Sequence, residues 1–131
     1  MEKTNKINIR VRYSETDKMG VVYHGNYAQY LEIARVEWLR ALGVSYRWME
    51  ENGVMLPVVS LQLNYKKSAK YDDLLTVEAR LKKTPTVKIE FDYTIFDEVG
   101  DIIAEGNTIL AFINSETLRP MRCPDYILNK L

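Results

Sequence analysis

The side chains able to do chemistry gather in one stretch, Ser14 to Arg40, which reads SETDKMGVVYHGNYAQYLEIARVEWLR. It opens as a polar loop holding Asp17, Gly20, His24, which is the only histidine of the chain, and Gly25. Tyr27, Tyr30, Leu31, Ala34, Trp38, Ala41 and Leu42 then recur at helical spacing. A carboxylate and an imidazole thus stand just ahead of a helix start, where free N–H groups carry the positive end of the helix dipole. Imidazole suits proton transfer near neutrality. Taken alone, Asp17 reads as a turn carboxylate bonding nearby N–H groups. His24 reads as an orienting or structural hydrogen-bonding group, and Tyr23 as a packing residue or pocket wall.

The elements that must position these residues follow from periodicity. Asn26 suits the helix N-cap and Gly43 its C-terminal stop. Ile33, Val36 and Leu39 widen the apolar surface beyond one stripe, so the spacing predicts a helix enclosed by other structure. Before it, Ile7, Ile9, Val11 and Tyr13 alternate with polar residues as a half-buried strand. After it, Ser45 caps a short helix through Glu51, closed by Asn52-Gly53. Val59, Leu61, Leu63 and Tyr65 define a second strand, and Leu75 to Leu81 a third. Val87 to Ile95 forms a fourth, leading into a hairpin connection around Gly100. The last strand runs from about Ile102 to Asn114, with Phe96, Leu110 and Phe112 expected on the outer face as an oligomer contact. Pro124 precedes a short terminal helix. The order, a strand, a long helix and four strands, predicts an α+β domain over residues 1–131. Its antiparallel sheet curls around one helix.

Composition narrows the function classes. Eighteen basic residues balance eighteen acidic ones, so no global field draws in nucleic acid or an anionic membrane. One cysteine, Cys123, forms no internal disulfide, and nothing resembles a signal sequence or membrane span, so the expected compartment is cytoplasmic. One His and one Cys make no metal cluster, no phosphate-cradling glycine loop is present, and the Gly-x-Ser-x-Gly elbow of serine hydrolases is absent. No cofactor is called for.

With loop, helix and strand order in place, the sequence resembles the hotdog-fold thioesterases of the 4-hydroxybenzoyl-CoA thioesterase type, including the bacterial acyl-CoA thioesterases found near Tol-Pal genes. The motif RYSETDKMGVVYHGNY, the helix with Glu32 and Arg35, Tyr71-Asp72-Asp73, and Arg119-Pro120 with Pro124 carry the likeness across nearly the whole chain. Two departures stand out: Ser68 occupies a position commonly proline, and lysines cluster where arginine is frequent. The resemblance implies a homodimer, often paired into a tetramer, with interfacial sites that hydrolyse acyl-CoA.

Thioester hydrolysis needs a base or nucleophile beside the carbonyl carbon and donors where the oxyanion develops. By resemblance Asp17 is that carboxylate, as general base or as nucleophile, and the backbone N–H groups at His24 and Gly25 polarise the carbonyl. Tyr23, Tyr27 and Val59 line the acyl pocket, with Tyr30 and Val58 nearby. Lys82, Lys83, Thr84 and Lys88 stand near the family's nucleotide-contacting turn. Lysines on exposed strand faces equally serve to guard sheet edges. Glu32 is the alternative catalyst, since a related subfamily carries its carboxylate on this helix; a structural ion pair with Arg35 explains it otherwise. The competing functions are an acyl-carrier-protein thioesterase, with the lysines facing an acidic partner, and a non-catalytic module binding an acyl thioester or a protein.

Overall fold

The helical pattern becomes one 16-residue helix, α1 (Tyr27–Leu42), in a computed structural model that describes residues 3–131. Its stop is the one foreseen. Gly43 takes a left-handed conformation at φ 97°, which only glycine adopts without strain. Tyr27, Tyr30, Leu31, Ala34, Trp38 and Leu39 are buried. Ala41 and Ile33 are exposed and Leu42 only half-buried, so within one chain α1 is covered on one side only. That corrects the expectation of a fully enclosed helix.

Beneath α1 lies a five-stranded antiparallel sheet in the order β1-β4-β5-β6-β3. The strands are β1 (Thr4–Arg10), β3 (Val58–Tyr65), β4 (Leu74–Leu81), β5 (Lys88–Phe96) and β6 (Ile102–Ala111). Two residues, β2 (Val54–Met55), pair separately with β7 (Ile113–Asn114). Helix α2 (Tyr46–Glu51) is capped by Ser45, which accepts from the Trp48 N–H, and α3 (Asp125–Leu128) follows Pro124. No helix among the described residues is long and apolar enough to cross a membrane.

The alternation on β4 and β5 sends Leu75, Val77, Ala79, Ile89, Phe91, Tyr93 and Ile95 into the core under α1. Gly106 on β6 lets the helix approach: a Cβ there would meet Leu31 Cδ1 at 2.9 Å and the Gln62 carbonyl at 3.3 Å. Leu110 and Phe112 are fully buried, so the outer-face contact predicted for them is corrected; Phe96 is half-buried opposite Thr76, with parity opposite to the buried Ile95. Leu110 pairs with Ile89 and shares its inward parity. The unpartnered apolar surface lies elsewhere, on edge strand β3, where Val58, Val59, Leu61 and Tyr65 are each 43–53% exposed.

Strand β1 is displaced from the predicted span, because Val11 leaves the ladder to bond with Asp73 O and Asp72 N. Tyr13–Glu15 then forms a single 3-10 turn. Strands β3 and β4 are sequence neighbours on opposite sides of the sheet. Their connector, residues 66–73, must therefore cross, and it packs against the Asp17 loop on the way: Val22 N donates to Ala69 O at 2.8 Å.

Candidate active site

The loop that carries Asp17 is held from within and from both flanks. Asp17 Oδ1 accepts from Met19 N at 2.8 Å, Asp17 N donates to Val21 O at 2.9 Å and Gly20 N to Asp17 O at 3.0 Å. Gly20 sits at φ 78°, as this tight turn requires. The turn role of the carboxylate is therefore real, and it engages Oδ1. Asp17 is half-buried at the wall of a cleft of about 320 Å³, which it shares with His24, Tyr27, Tyr65, Lys66, Lys67 and Ser68.

The helix starts where the sequence pattern puts it, directly after Asn26, but Asn26 does not cap it with its side chain. A 3-10 turn, His24–Asn26, runs directly into α1. Asn26 is already helical and makes no side-chain cap bond; its amide instead donates to Glu15 O at 2.8 Å. This corrects the N-cap assignment and moves the free end of the helix back to His24. Among the described residues, the N–H groups of His24 and Gly25 donate to no protein acceptor, which leaves two donors and the helix dipole at the helix start, where His24 lines the cleft. Gly25 has a steric reason to be glycine, since a Cβ there would lie 2.8 Å from the Tyr23 ring.

Aromatic rings pack around the donors. The His24 and Tyr23 ring centroids are 4.4 Å apart, Tyr65 meets Tyr27 at 5.4 Å, and the Tyr65 hydroxyl donates to His24 O at 3.2 Å. Burial raises the Tyr27 phenol above its ordinary value, partly offset by a bond to the Ala69 backbone. Tyr27 is therefore a neutral wall. Tyr30, placed near the pocket by the sequence, is instead wholly buried, with its hydroxyl on Glu15.

Several anticipated residues stand apart. Val59 lies on β3 and is 53% exposed. Lys82 and Lys83 reach Glu90 at 3.6 and 4.0 Å, and Lys82 lines a polar groove on the outer face of the sheet; Thr84 and Lys88 are exposed near the same turn. Glu32 lines a separate cavity of about 260 Å³ with Arg35, Leu61 and Thr108, which shares no residue with the Asp17 cleft. The Glu32–Arg35 ion pair does not form among the described residues. Arg35 turns toward Tyr93 instead.

Lys67, one of the clustered lysines that the sequence offers as cations for the phosphates of CoA, lines the cleft, but its ammonium is held by Asp97 at 2.8 Å and Asp101 at 2.9 Å. The sequence pattern missed two contributors. Tyr65 read only as a strand residue. Glu15, 5% exposed, gave no sign of burial because only Arg12 among its partners is near in sequence, while Tyr23, Asn26 and Tyr30 reach it from the donor turn and α1.

Residues 11–131 match the family model of the thioesterase-like superfamily. A DHNA-CoA thioesterase structure from Staphylococcus aureus superposes with a TM-score of 0.91 at 40% identity, covering 96% of this chain and 85% of that one. A putative acyl-CoA thioesterase of Bacillus subtilis is 32% identical over 118 residues, 90% of this chain and 86% of the relative. An acyl-CoA thioesterase of Haemophilus influenzae is 31% identical over 88% of this chain and 85% of its own length. A single helix on a five-stranded antiparallel sheet, with these neighbours, defines a hotdog-fold thioester hydrolase. The chain belongs to the thioesterase-like superfamily.

Proposed function

We propose that the chain hydrolyses an aryl acyl-CoA thioester at the Asp17 cleft. The observation that carries this reading is a single cleft lined by the Asp17 carboxylate and by His24, whose N–H and that of the adjacent Gly25 are unengaged at the helix start. The thioester carbonyl oxygen accepts from the N–H groups of His24 and Gly25, which strengthen their hold as negative charge develops there. Asp17 takes a proton from water as it attacks the carbonyl carbon, or attacks directly and is released by water; in either route the carbon–sulfur bond breaks and CoA leaves as the thiol. One turnover in 18O-labelled water that leaves a label in Asp17 establishes direct attack with water adding at the Asp17 carboxyl carbon, and a trapped anhydride detects direct attack where water adds at the acyl carbon. His24 orients the site through its ring contacts with Tyr23 and Tyr65.

The aryl preference rests on the rings of Tyr27, Tyr65 and His24 around the cleft, and the Staphylococcus relative is named for DHNA-CoA. The apolar inner side of β3 and the bare side of α1 support a homodimer formed through them, itself able to pair into a tetramer. Lys82, Lys83, Thr84 and Lys88 then contact the nucleotide of CoA from the second copy, because within one chain Lys82 lines another groove and none of the four lines the Asp17 cleft. The expected location is the cytoplasm.

The test is thiol release from a panel of aryl, short and long acyl-CoAs. Cys123 does not interfere, being 4% exposed with a thiol pushed up to about 11 by burial and by Asp125. Release from aryl esters supports the reading; release only from long-chain esters contradicts the aryl preference. Release only from acyl carrier protein would assign the other thioesterase class, a possibility raised by a 28%-identical acyl-acyl carrier protein thioesterase of Arabidopsis thaliana.

A further inference from the structure

We propose that Glu15 is the positioning residue of this site, fixing the distance between the Asp17 carboxylate and the donors at His24 and Gly25. The inference rests on Asp17 being the catalytic carboxylate. Contacts from several elements converge on this one buried residue. From the end of β1, Arg12 N donates to Oε1 at 2.8 Å, and the Arg12 Nε and Nη2 donate to Oε2 at 3.3 Å each. From the body of α1, the Tyr30 hydroxyl donates to Oε1 at 3.0 Å. From the donor turn, Tyr23 N and the Asn26 amide donate to the Glu15 carbonyl at 2.9 and 2.8 Å.

Glu15 is two residues before Asp17, and Tyr23 and Asn26 bracket His24 and Gly25. The carbonyl of Glu15 therefore sets where the donors stand, while its carboxylate sets where the loop stands relative to α1. Arg12 is largely exposed, 72% at its side chain, so the contact with it holds a position more than it supplies ionic stability. A side chain that is buried, charged and fully engaged loses its partners together when one is removed.

Glu15→Gln is the discriminating variant. It keeps an oxygen for Arg12 N and Tyr30, and turns an amide NH2 against the guanidinium donors. Purified Glu15→Gln, Tyr30→Phe, Asp17→Asn and the Glu15→Gln/Asp17→Asn double variant are assayed on an aryl acyl-CoA across pH, with thermal melts in parallel. The expected result is a fall in kcat of about tenfold to hundredfold for Glu15→Gln, the scale of sub-ångström to ångström misplacement, with KM and the acid limb of the pH profile unmoved. Tyr30→Phe shows a smaller fall of the same kind. In the Asp17→Asn background the further loss shrinks to less than about threefold, because residues acting as one unit are not additive.

Wild-type turnover in Glu15→Gln, alongside an inactive Asp17→Asn, overturns the proposal and leaves the role of Asp17 standing. An acid limb that moves, with kcat restored at higher pH, overturns it in favour of a charge effect on Asp17. Losses that simply add show a general structural role and also overturn it. Full activity in Asp17→Asn overturns the reading on which the proposal rests, and the proposal with it.

Discussion

The N-terminal end of the long helix and its middle differ in how far one chain completes them. At the N-terminal end, the Asp17 loop, the donor turn and the connector between β3 and β4 are tied to one another by hydrogen bonds, and the N–H groups of His24 and Gly25 have no protein acceptor among the described residues. Along the middle of α1 and the neighbouring β3, by contrast, Ile33, Val58, Val59 and Leu61 stand in water although their residue types belong in a core. The first region is over-determined and carries chemistry; the second is apolar, unfinished and suited to a second copy of the chain. On the proposed reading, catalytic geometry is held within the protomer and a second copy closes the pocket.

Substitutions can break this contrast, beginning with the largest expected effect. Leu61→Asp places a charge on the apolar strand and weakens association by about 3 kcal/mol or more if that face is the interface. Gel filtration should then show a monomer, and turnover should fall although Asp17 is intact. Gly25→Ala acts at the other end. Its Cβ meets Tyr23 at 2.8 Å, and displacement of the donor turn should lower kcat by about tenfold to a hundredfold, as for a misplaced oxyanion donor, with the dimer unaffected.

Gly106→Ala crowds Leu31 under α1 and should cost about 1–3 kcal/mol of stability in a denaturant titration, with kcat retained in the folded fraction. Tyr65→Phe removes one hydroxyl from His24 O and should change kcat/KM by less than about tenfold, in keeping with a net bond of about 0.5–1.5 kcal/mol.

The smallest effect concerns the strap that holds the connector. Asp97 is held below its ordinary carboxylate value, first by the Lys67 hydrogen bond, and Lys67 is held above the ordinary lysine value by Asp97 and Asp101. A depressed acid contributes above its unfolded pKa and a raised base below its own. The strap's contribution is therefore full between about pH 4 and about pH 10. It fades as pH falls through the folded value of Asp97 or rises through that of Lys67. Lys67→Met should flatten that dependence in melting curves while leaving the Asp17 loop in place.

The sequence made α1 legible because its period, Gly43 and the glycines of the loop are local signals. The hotdog arrangement and the thioesterase class were legible through the motif around Asp17, an unusual run of residues with a specific order. Parity misled where both faces were apolar: nothing local decides whether Leu110 or Ile109 points at the helix, and pairing with Ile89 decides it. Strand β1 was shifted because Val11 keeps the alternation while its N–H serves Asp73, 62 residues on. Tyr65 and Glu15 were missed for the same reason. Tyr65 meets His24 across 41 residues and Glu15 meets Tyr30 across 15, so each acquires its role only when the chain closes.

The central claim is that the loop carboxylate, and not the helix carboxylate, performs the hydrolysis. The most direct measurement is single-turnover thiol release from one aryl acyl-CoA by the wild type, Asp17→Asn and Glu32→Gln at matched folded concentration. Asp17→Asn should lose at least about a hundredfold in rate, the scale of an acid–base group, and Glu32→Gln should stay within about threefold of wild type, as suits a surface substitution in a separate cavity. The opposite pattern, an active Asp17→Asn and an inactive Glu32→Gln, would move the chemistry to the cavity beside Arg35 and contradict the account.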